Sequence, residues 1–268
     1  NKIKEKIKAK LNTEQEKAFK LIKNYLKHKH TTIVLEGVTG SGKTEVFLEA
    51  VENIIKKNKQ VLILLPEISL TPNLEKRFTN HFGFEPEIWH SKISNLKKRK
   101  IWRQCFSGKS EIIIGARSSL FLPFKNLGLI VVDEEHDVSY KQEDGVRYQA
   151  RDMAVVRSTI EKIPIILSTA TPSIETYLNI KKNRYKHVFL SKQYSGLDLS
   201  KIHLINLKKE KLNKNNWISV KIIEAISVCL KNKKQSLLFL NRRGYAPLTV
   251  CSSCNYRMQC KYCSSWLV

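Results

Sequence analysis

Gly37-Val38-Thr39-Gly40-Ser41-Gly42-Lys43-Thr44 carries the clearest chemistry in this chain, because it satisfies the spacing G-x-x-x-x-G-K-[ST] at every fixed position. Such a loop turns successive backbone N–H groups inward to form an anion-binding nest. Lys43 can then reach the β- and γ-phosphates of a nucleoside triphosphate, and the Thr44 hydroxyl can ligate Mg²⁺. A second candidate group lies at Asp133-Glu134-Glu135-His136-Asp137. There Asp133 can hold Mg²⁺ from the side opposite Thr44, and Glu134 can orient an attacking water for phosphoryl transfer. A third is the array Cys251-x₂-Cys254-x₅-Cys260-x₂-Cys263, whose paired thiolates favour Zn²⁺ in a reducing compartment.

The elements that must position these groups follow from the apolar pattern. Residues 31–36 read as a buried strand, and Val46, Phe47, Ala50, Val51 and Ile54 have helical spacing after the glycine loop. Strand, loop and helix thus put a triphosphate at a helix N-terminus. Leu127 to Val132 is an uninterrupted apolar run of the fully buried parallel type, ending in the acidic group. Further strands are expected at about 60–65, 86–90, 111–114 and 164–168, and helices near 43–57, 72–82, 94–107, 149–161 and 173–182. Thr13-Glu14-Gln15-Glu16 has capping-box spacing and should open a helix to about Leu26. The alternation predicts an α/β fold, a doubly wound parallel sheet binding ligands at the carboxyl ends of its strands. Residues 191–216 are polar and read as a linker. A new α/β unit should follow, with a helix at 218–232 and a strand at 235–240.

The 268 residues suffice for one large α/β domain and part of another. The apolar runs are strand-sized and charge-bounded, which predicts no membrane partner and a cytoplasmic location. A net charge of +24 permits nucleic-acid binding. The excess is dispersed, and abundant Lys, Asn and Ile match AT-rich codon usage, so charge is weak evidence for a particular partner. A chain that begins at Asn1 and stops inside a cysteine array is expected to be a fragment.

Beyond these motifs, the chain from about Leu11 onward resembles nucleic-acid helicases of superfamily 2, and more narrowly the bacterial replication-restart helicases. Leu11-Asn12-Thr13-Glu14-Gln15 is similar to the segment that reads adenine, which implies Gln15 as a base contact. Leu64 to Pro72, with Pro66 and Thr71, resembles motif Ia, and Gly115 to Phe121, with Arg117, resembles motif Ib; both imply DNA contacts. In the same resemblance His136 couples the nucleotide site to the strand-separating elements. Ser168, Thr169 and Thr171 belong to a hydroxyl-rich sensing turn, motif III. Gln235 to Pro247 resembles the opening of a second motor lobe. The implied architecture is a RecA-like lobe over 1–190, a linker over 191–216, the start of a second RecA-like lobe over 217–247 and a partial zinc-binding insertion over 248–268.

Ser139 to Asp152 resembles the family's aromatic-rich loop. Its own composition makes the same point: Tyr140 and Tyr148 stand among Lys141, Arg147 and Arg151, so rings can stack on unpaired bases while cations track phosphates. Val146 stands where the resemblance calls for another aromatic. On spacing alone the four cysteines bind one zinc. The resemblance instead implies two Zn²⁺ ions, each sharing cysteines beyond Val268. Asn255 stands where a glycine is common after the second ligand. Cys105 and Cys229 lie in apolar helical contexts and read as inert thiols.

The resemblance implies an ATP-driven 3′-to-5′ DNA helicase that acts at stalled or abandoned forks. It would restart replication with forked and single-stranded DNA, primosome proteins and single-stranded DNA-binding protein as partners. Two alternatives are a duplex translocase without strand separation and a zinc-dependent platform switched by ATP. The chain by itself is expected to bind ATP, hydrolyse it poorly and unwind nothing.

Overall fold

Strands built from Ile, Val and Leu on both faces can be stable only with a layer of helices over each face. The computed structural model realises this arrangement. It describes residues 10–28, 30–66, 69, 71–194, 201–206, 218–239, 253–254 and 256–258. The chain divides into two units, Asn1–Leu199 and Ser200–Val268.

In the first unit seven parallel strands form one sheet: β1 (Thr32–Gly37), β2 (Gln60–Leu64), β3 (Glu87–Trp89), β4 (Ile112–Gly115), β5 (Leu127–Asp133), β8 (Ile165–Thr169) and β9 (Lys186–Leu190). Their order is β3-β4-β2-β5-β8-β1-β9. A separate antiparallel hairpin, β6 (Lys141–Gln142) with β7 (Tyr148–Gln149), stands outside the sheet. Successive side chains go to opposite faces. Ile33, Leu35, Val61, Ile63, Leu129 and Val131 enter one core, with α1 (Thr13–Tyr25), α2 (Lys43–Ile55) and α3 (Pro72–Phe82) above it. Val34, Leu62, Leu64, Ile130 and Val132 enter the other, under α4 (Asn95–Ser107) and α5 (Ala150–Ile160). Ile180 of α6 (Ile174–Lys181) packs on this second core. The connections leaving β1 and β8 therefore lie on opposite faces, which opens a crevice at the carboxyl ends of these neighbouring strands.

The structure corrects several sequence expectations. The α1 capping box sits one residue earlier than the Thr13 spacing suggested. Asn12 Oδ1 accepts from Gln15 N and Gln15 Oε1 accepts from Asn12 N, both at 2.9 Å. That register turns Gln15 inward. Strand β9 was not anticipated; its apolar alternation is short, and it gains a partner only where β1 offers an edge. Pairing also explains the expected strand at 235–240. Residues 235–239 form none, and with no partner strand among the described residues Leu237 and Phe239 are exposed. The second unit contains α7 (Val220–Lys231), capped by Ser219, whose hydroxyl accepts from Ile222 N.

At the opposite end of the sheet from the crevice, Gln60 ties loops together. Its buried amide donates to Cys105 O at 3.1 Å and Ser110 O at 2.8 Å, and accepts from Lys125 N and Asn126 N at 2.9 and 3.0 Å. Gln60→Ala removes these bonds from Ser110 O and from the amides of Lys125 and Asn126, while Cys105 O keeps Gly108 N as its donor. It should lower unfolding stability by about 2–4 kcal/mol, measured by urea denaturation, while nucleotide affinity stays unchanged.

Candidate nucleotide site

The glycine loop joins β1 to α2, so Lys43 occupies the first helical position and Thr44 the second. Gly42, with φ 78°, sits in the left-handed region, and a Cβ there would come within 2.2 Å of Gln15 Nε2. Gln15, nearly fully buried, donates from Nε2 to Ser41 O at 2.8 Å. It therefore braces α1 against the loop and also lines the cleft. Lys43 Nζ folds across the loop to donate to Gly37 O at 2.9 Å. Val38 and Ser41 complete the turn through Ser41 N donating to Val38 O at 3.0 Å. The cleft encloses about 410 Å³, with Thr39, Gly40, Lys43 and Thr44 on one side and Asp133, Glu134 and Ala170 on the other.

The acidic wall belongs to β5 and is fastened to β8 beside it. Ser168 Oγ donates to Asp133 Oδ1 at 2.7 Å. Burial pushes the Asp133 carboxyl above its usual value and the Glu134 charge adds to this, while the Ser168 bond and Lys43 offset part of the rise. Glu134 follows with φ 47°, a conformation rare for a residue with a side chain and common at functional sites. His136 Nδ1 lies 2.8 Å from Thr169 Oγ1, which in turn accepts from Thr171 N at 3.1 Å. The oxygen donors of Thr44, Asp133 and Glu134 on one cleft suit a hard divalent cation such as Mg²⁺.

Glu135, to which the motifs gave no role of its own, and Arg151, expected among the DNA contacts, hold this wall. Glu135 is fully buried and accepts from Ser173 N at 2.8 Å, Thr176 Oγ1 at 3.0 Å and Arg151 Nη1 at 3.1 Å. Arg151 is buried too and also donates to Asp152 at 2.7 Å and Ser173 Oγ at 2.6 Å. On the facing wall Arg77 of α3 pairs with Glu45 of α2, its Nε 3.0 Å from Glu45 Oε1. Glu135 was visible in the sequence as part of the acidic run, but nothing local marked it as the buried member.

Several expected DNA contacts need correction. Arg151 points into the protein to neutralise Glu135, so its guanidinium cannot track a phosphate. Tyr140 is fully buried and its ring cannot stack on a base. Its hydroxyl lies 2.6 Å from Asp133 O and 3.0 Å from Leu64 O. Burial, then the surrounding carboxylates, raise its pKa well above the ordinary value and keep it a donor. Pro66 is buried, and its carbonyl accepts from Ser69 N. Thr71 is exposed, but its hydroxyl caps α3. Lys141 and Arg147 are exposed on the β6–β7 hairpin, and Arg117 bonds to Lys141 O beneath it. Tyr148 is half-buried, edge-on to Phe121 with centroids 5.3 Å apart. Of the cysteine array, Cys254 is exposed, while Cys251, Cys260 and Cys263 lie outside the described residues, as do 240–247. Cys105 is buried, and that burial raises its thiol to about 12, as befits an inert core thiol.

A family model described as DEAD/DEAH box helicase matches residues 12–180, the segment that contains the glycine loop, the acidic strand end and the hydroxyl turn. The chain belongs to the DEAD/DEAH box helicases. It is 55% identical over 235 residues to the Replication restart protein PriA of Rickettsia conorii, covering 88% of this chain and 36% of that protein. The Bacillus subtilis protein of the same name is 38% identical over 255 residues, covering 94% of this chain and 32% of the relative. This helicase chain thus spans about a third of the length of the curated relatives it matches. Two solved structures share the fold. One is the DUF1998 helicase MrfA, with TM-score 0.56 and 20% identity, covering 87% of this chain and 36% of that one. The other is RecG bound to a three-way DNA junction, with TM-score 0.51 and 21% identity, covering 68% and 24%. Among the described residues no helix is long and apolar enough to cross a membrane.

Two measurements probe the arrangement. Arg151→Ala strands the fully buried Glu135 carboxylate and should cost about 3–5 kcal/mol of unfolding free energy in urea titrations; Glu135→Ala leaves Arg151 paired with Asp152 and should cost less. Glu14 gives a pH handle. Its carboxylate accepts from Ser191 N at 2.7 Å, Ser191 Oγ at 2.8 Å and Lys192 N at 3.3 Å. Slight burial works to raise its pKa, but these bonds and the Lys192 charge outweigh it and hold the pKa below the ordinary value. The tie is thus fully present above the unfolded value of about 4.3 and lost as pH falls through the lower folded value. Protection of the Ser191 and Lys192 amides, measured relative to the intrinsic exchange rate at each pH, should hold at pH 5 and fall only below the ordinary carboxylate range; Glu14→Gln should lower it throughout.

Proposed function

We propose that this chain is the ATP-binding lobe, with the start of a second lobe, of an ATP-dependent 3′-to-5′ DNA helicase. The whole protein would act at stalled or abandoned replication forks, restart replication and help assemble the primosome. One observation carries this reading: phosphate loop, acidic strand end and hydroxyl turn meet at the ends of the adjacent strands β1, β8 and β5, in a chain so similar to the replication restart proteins.

In this reading the glycine loop, Lys43 and Thr44 hold the triphosphate of ATP, and Gln15 meets the adenine. Mg²⁺, held by Thr44 and Asp133, would neutralise charge on the phosphate oxygens. Glu134 orients the attacking water and accepts its proton. His136, bonded to Thr169, and Ser168, bonded to Asp133, pass the change at the γ-phosphate to the turn that ends at Thr171. A DNA strand would run along Arg117, Lys141, Arg147 and Tyr148, at the exposed hairpin next to the acidic wall. Cys251, Cys254, Cys260 and Cys263 supply thiolates for zinc, shared with cysteines elsewhere in the full-length protein. Partner proteins, including single-stranded DNA-binding protein, and a cytoplasmic setting belong to the same proposal.

The test is ATP hydrolysis by the full-length parent protein on forked, single-stranded and blunt duplex DNA at one salt concentration. Forks should stimulate most and an annealed oligonucleotide should be displaced. Lys43→Ala should lower turnover by about two orders of magnitude, the cost typical of losing one charge-stabilising group. The 268-residue chain should bind ATP yet turn over far more slowly than the parent. Stimulation by blunt duplex without displacement would assign the protein to the duplex translocases instead.

A further inference from the structure

We propose that the Tyr194 ring is the stacking platform for the nucleotide base in the cleft, an assignment that rests on the nucleotide reading of the glycine loop. Tyr194 lies beyond the last strand, in a segment whose composition reads as linker, yet the structure fastens that segment over the loop. Val38 N donates to Leu190 O at 3.2 Å, and Tyr194 N donates to Gly40 O at 2.9 Å. The Glu14 carboxylate at the start of α1 accepts from both Ser191 and Lys192. The tyrosine is thereby attached to the phosphate loop, its segment is tied to α1 through Glu14, and its hydroxyl donates to Lys10 O at 3.4 Å, just ahead of that helix.

Such anchoring does nothing for the core: Tyr194 is 55% exposed and lines the cleft together with Gln15 and Gly40. Gln15 and Tyr194 are tied to consecutive loop carbonyls, Ser41 O and Gly40 O, so both stand at the same end of the cleft they line. That end is where the base of a nucleotide must sit once its phosphates occupy the loop. The chemistry divides between the two side chains. An amide can read the hydrogen-bonding edge of a base, whereas an aromatic ring offers a π-face that every base can cover. Tyr194 thus supplies affinity for nucleotides in general and no choice among bases. The backbone ties hold the ring in place beforehand, so little ordering is needed when a base arrives.

Calorimetric titration of the 268-residue chain with ATP, GTP and inorganic tripolyphosphate, each with Mg²⁺, tests the assignment. Tyr194→Ala should weaken ATP and GTP binding by the same factor, about tenfold, and leave tripolyphosphate affinity unchanged. Tyr194→Phe should restore both nucleotide affinities. Unchanged ATP affinity in Tyr194→Ala overturns the proposal, as does an equal loss for tripolyphosphate, which would reveal a distorted loop. A wild-type chain that binds neither ATP nor tripolyphosphate overturns the nucleotide site itself; one that binds both, with Tyr194→Ala indistinguishable from it, overturns only the platform.

Discussion

A carboxylate buried one residue beyond Asp133 and Glu134 is the constraint on which the rest of the site depends. Glu135 has no solvent exposure, and an ionised group there is tolerable only with a cation and several donors around it. Arg151 from α5, Ser173 from the turn after β8 and Thr176 from α6 supply them. Satisfying one charge therefore draws two separate pieces of chain, the start of α5 and the start of α6, onto the end of β5. The strained backbone at Glu134 sits directly beside this anchor. Surroundings that over-determine a residue let it keep a conformation it would otherwise leave.

The parallel sheet turns that local constraint into a site. Strands β1, β8 and β5 are neighbours, so their carboxyl ends place the glycine loop, the hydroxyl turn and the carboxylates on one crevice without any long-range adjustment. Ser168 pairs with Asp133 in register and then bonds it through the side chain. The same logic runs along the facing wall. Helix α2 starts at the phosphate loop, α3 starts at Thr71, and Arg77–Glu45 links them at the cleft. A displacement of either helix must therefore be felt at the cleft.

Tyr140 shows how a residue type can be right for two opposite jobs. An aromatic among cations beside an acidic strand end has the composition of a base-stacking loop. Burial of its ring in the second core, with the hydroxyl at Leu64 O and Asp133 O, instead makes it a brace between the ends of β2 and β5. The exposed cations on that loop, Lys141 and Arg147, keep the surface character that the composition implied.

Sequence alone determined the parts whose chemistry is local. The glycine-lysine-threonine spacing, the apolar run into Asp133-Glu134 and the alternation of strands and helices each lie within a few residues. Periodicity there reports directly on which face is buried. Only the tertiary structure decided which of two adjacent glutamates is the buried anchor. It also turned Tyr140 and Arg151 inward and carried residue 194 back over residue 40. The physical reason is the same in each case. Periodicity says that a face is covered but not by what, and a charge or a ring takes its role from partners that the fold brings to it from other elements: helices α5 and α6 for Glu135, strand β2 for Tyr140 and the phosphate loop for Tyr194. Strand β9 and the segment after it make the point most simply: a short apolar stretch and a polar one become an edge strand and the wall of a cleft because β1 and the phosphate loop were there to receive them.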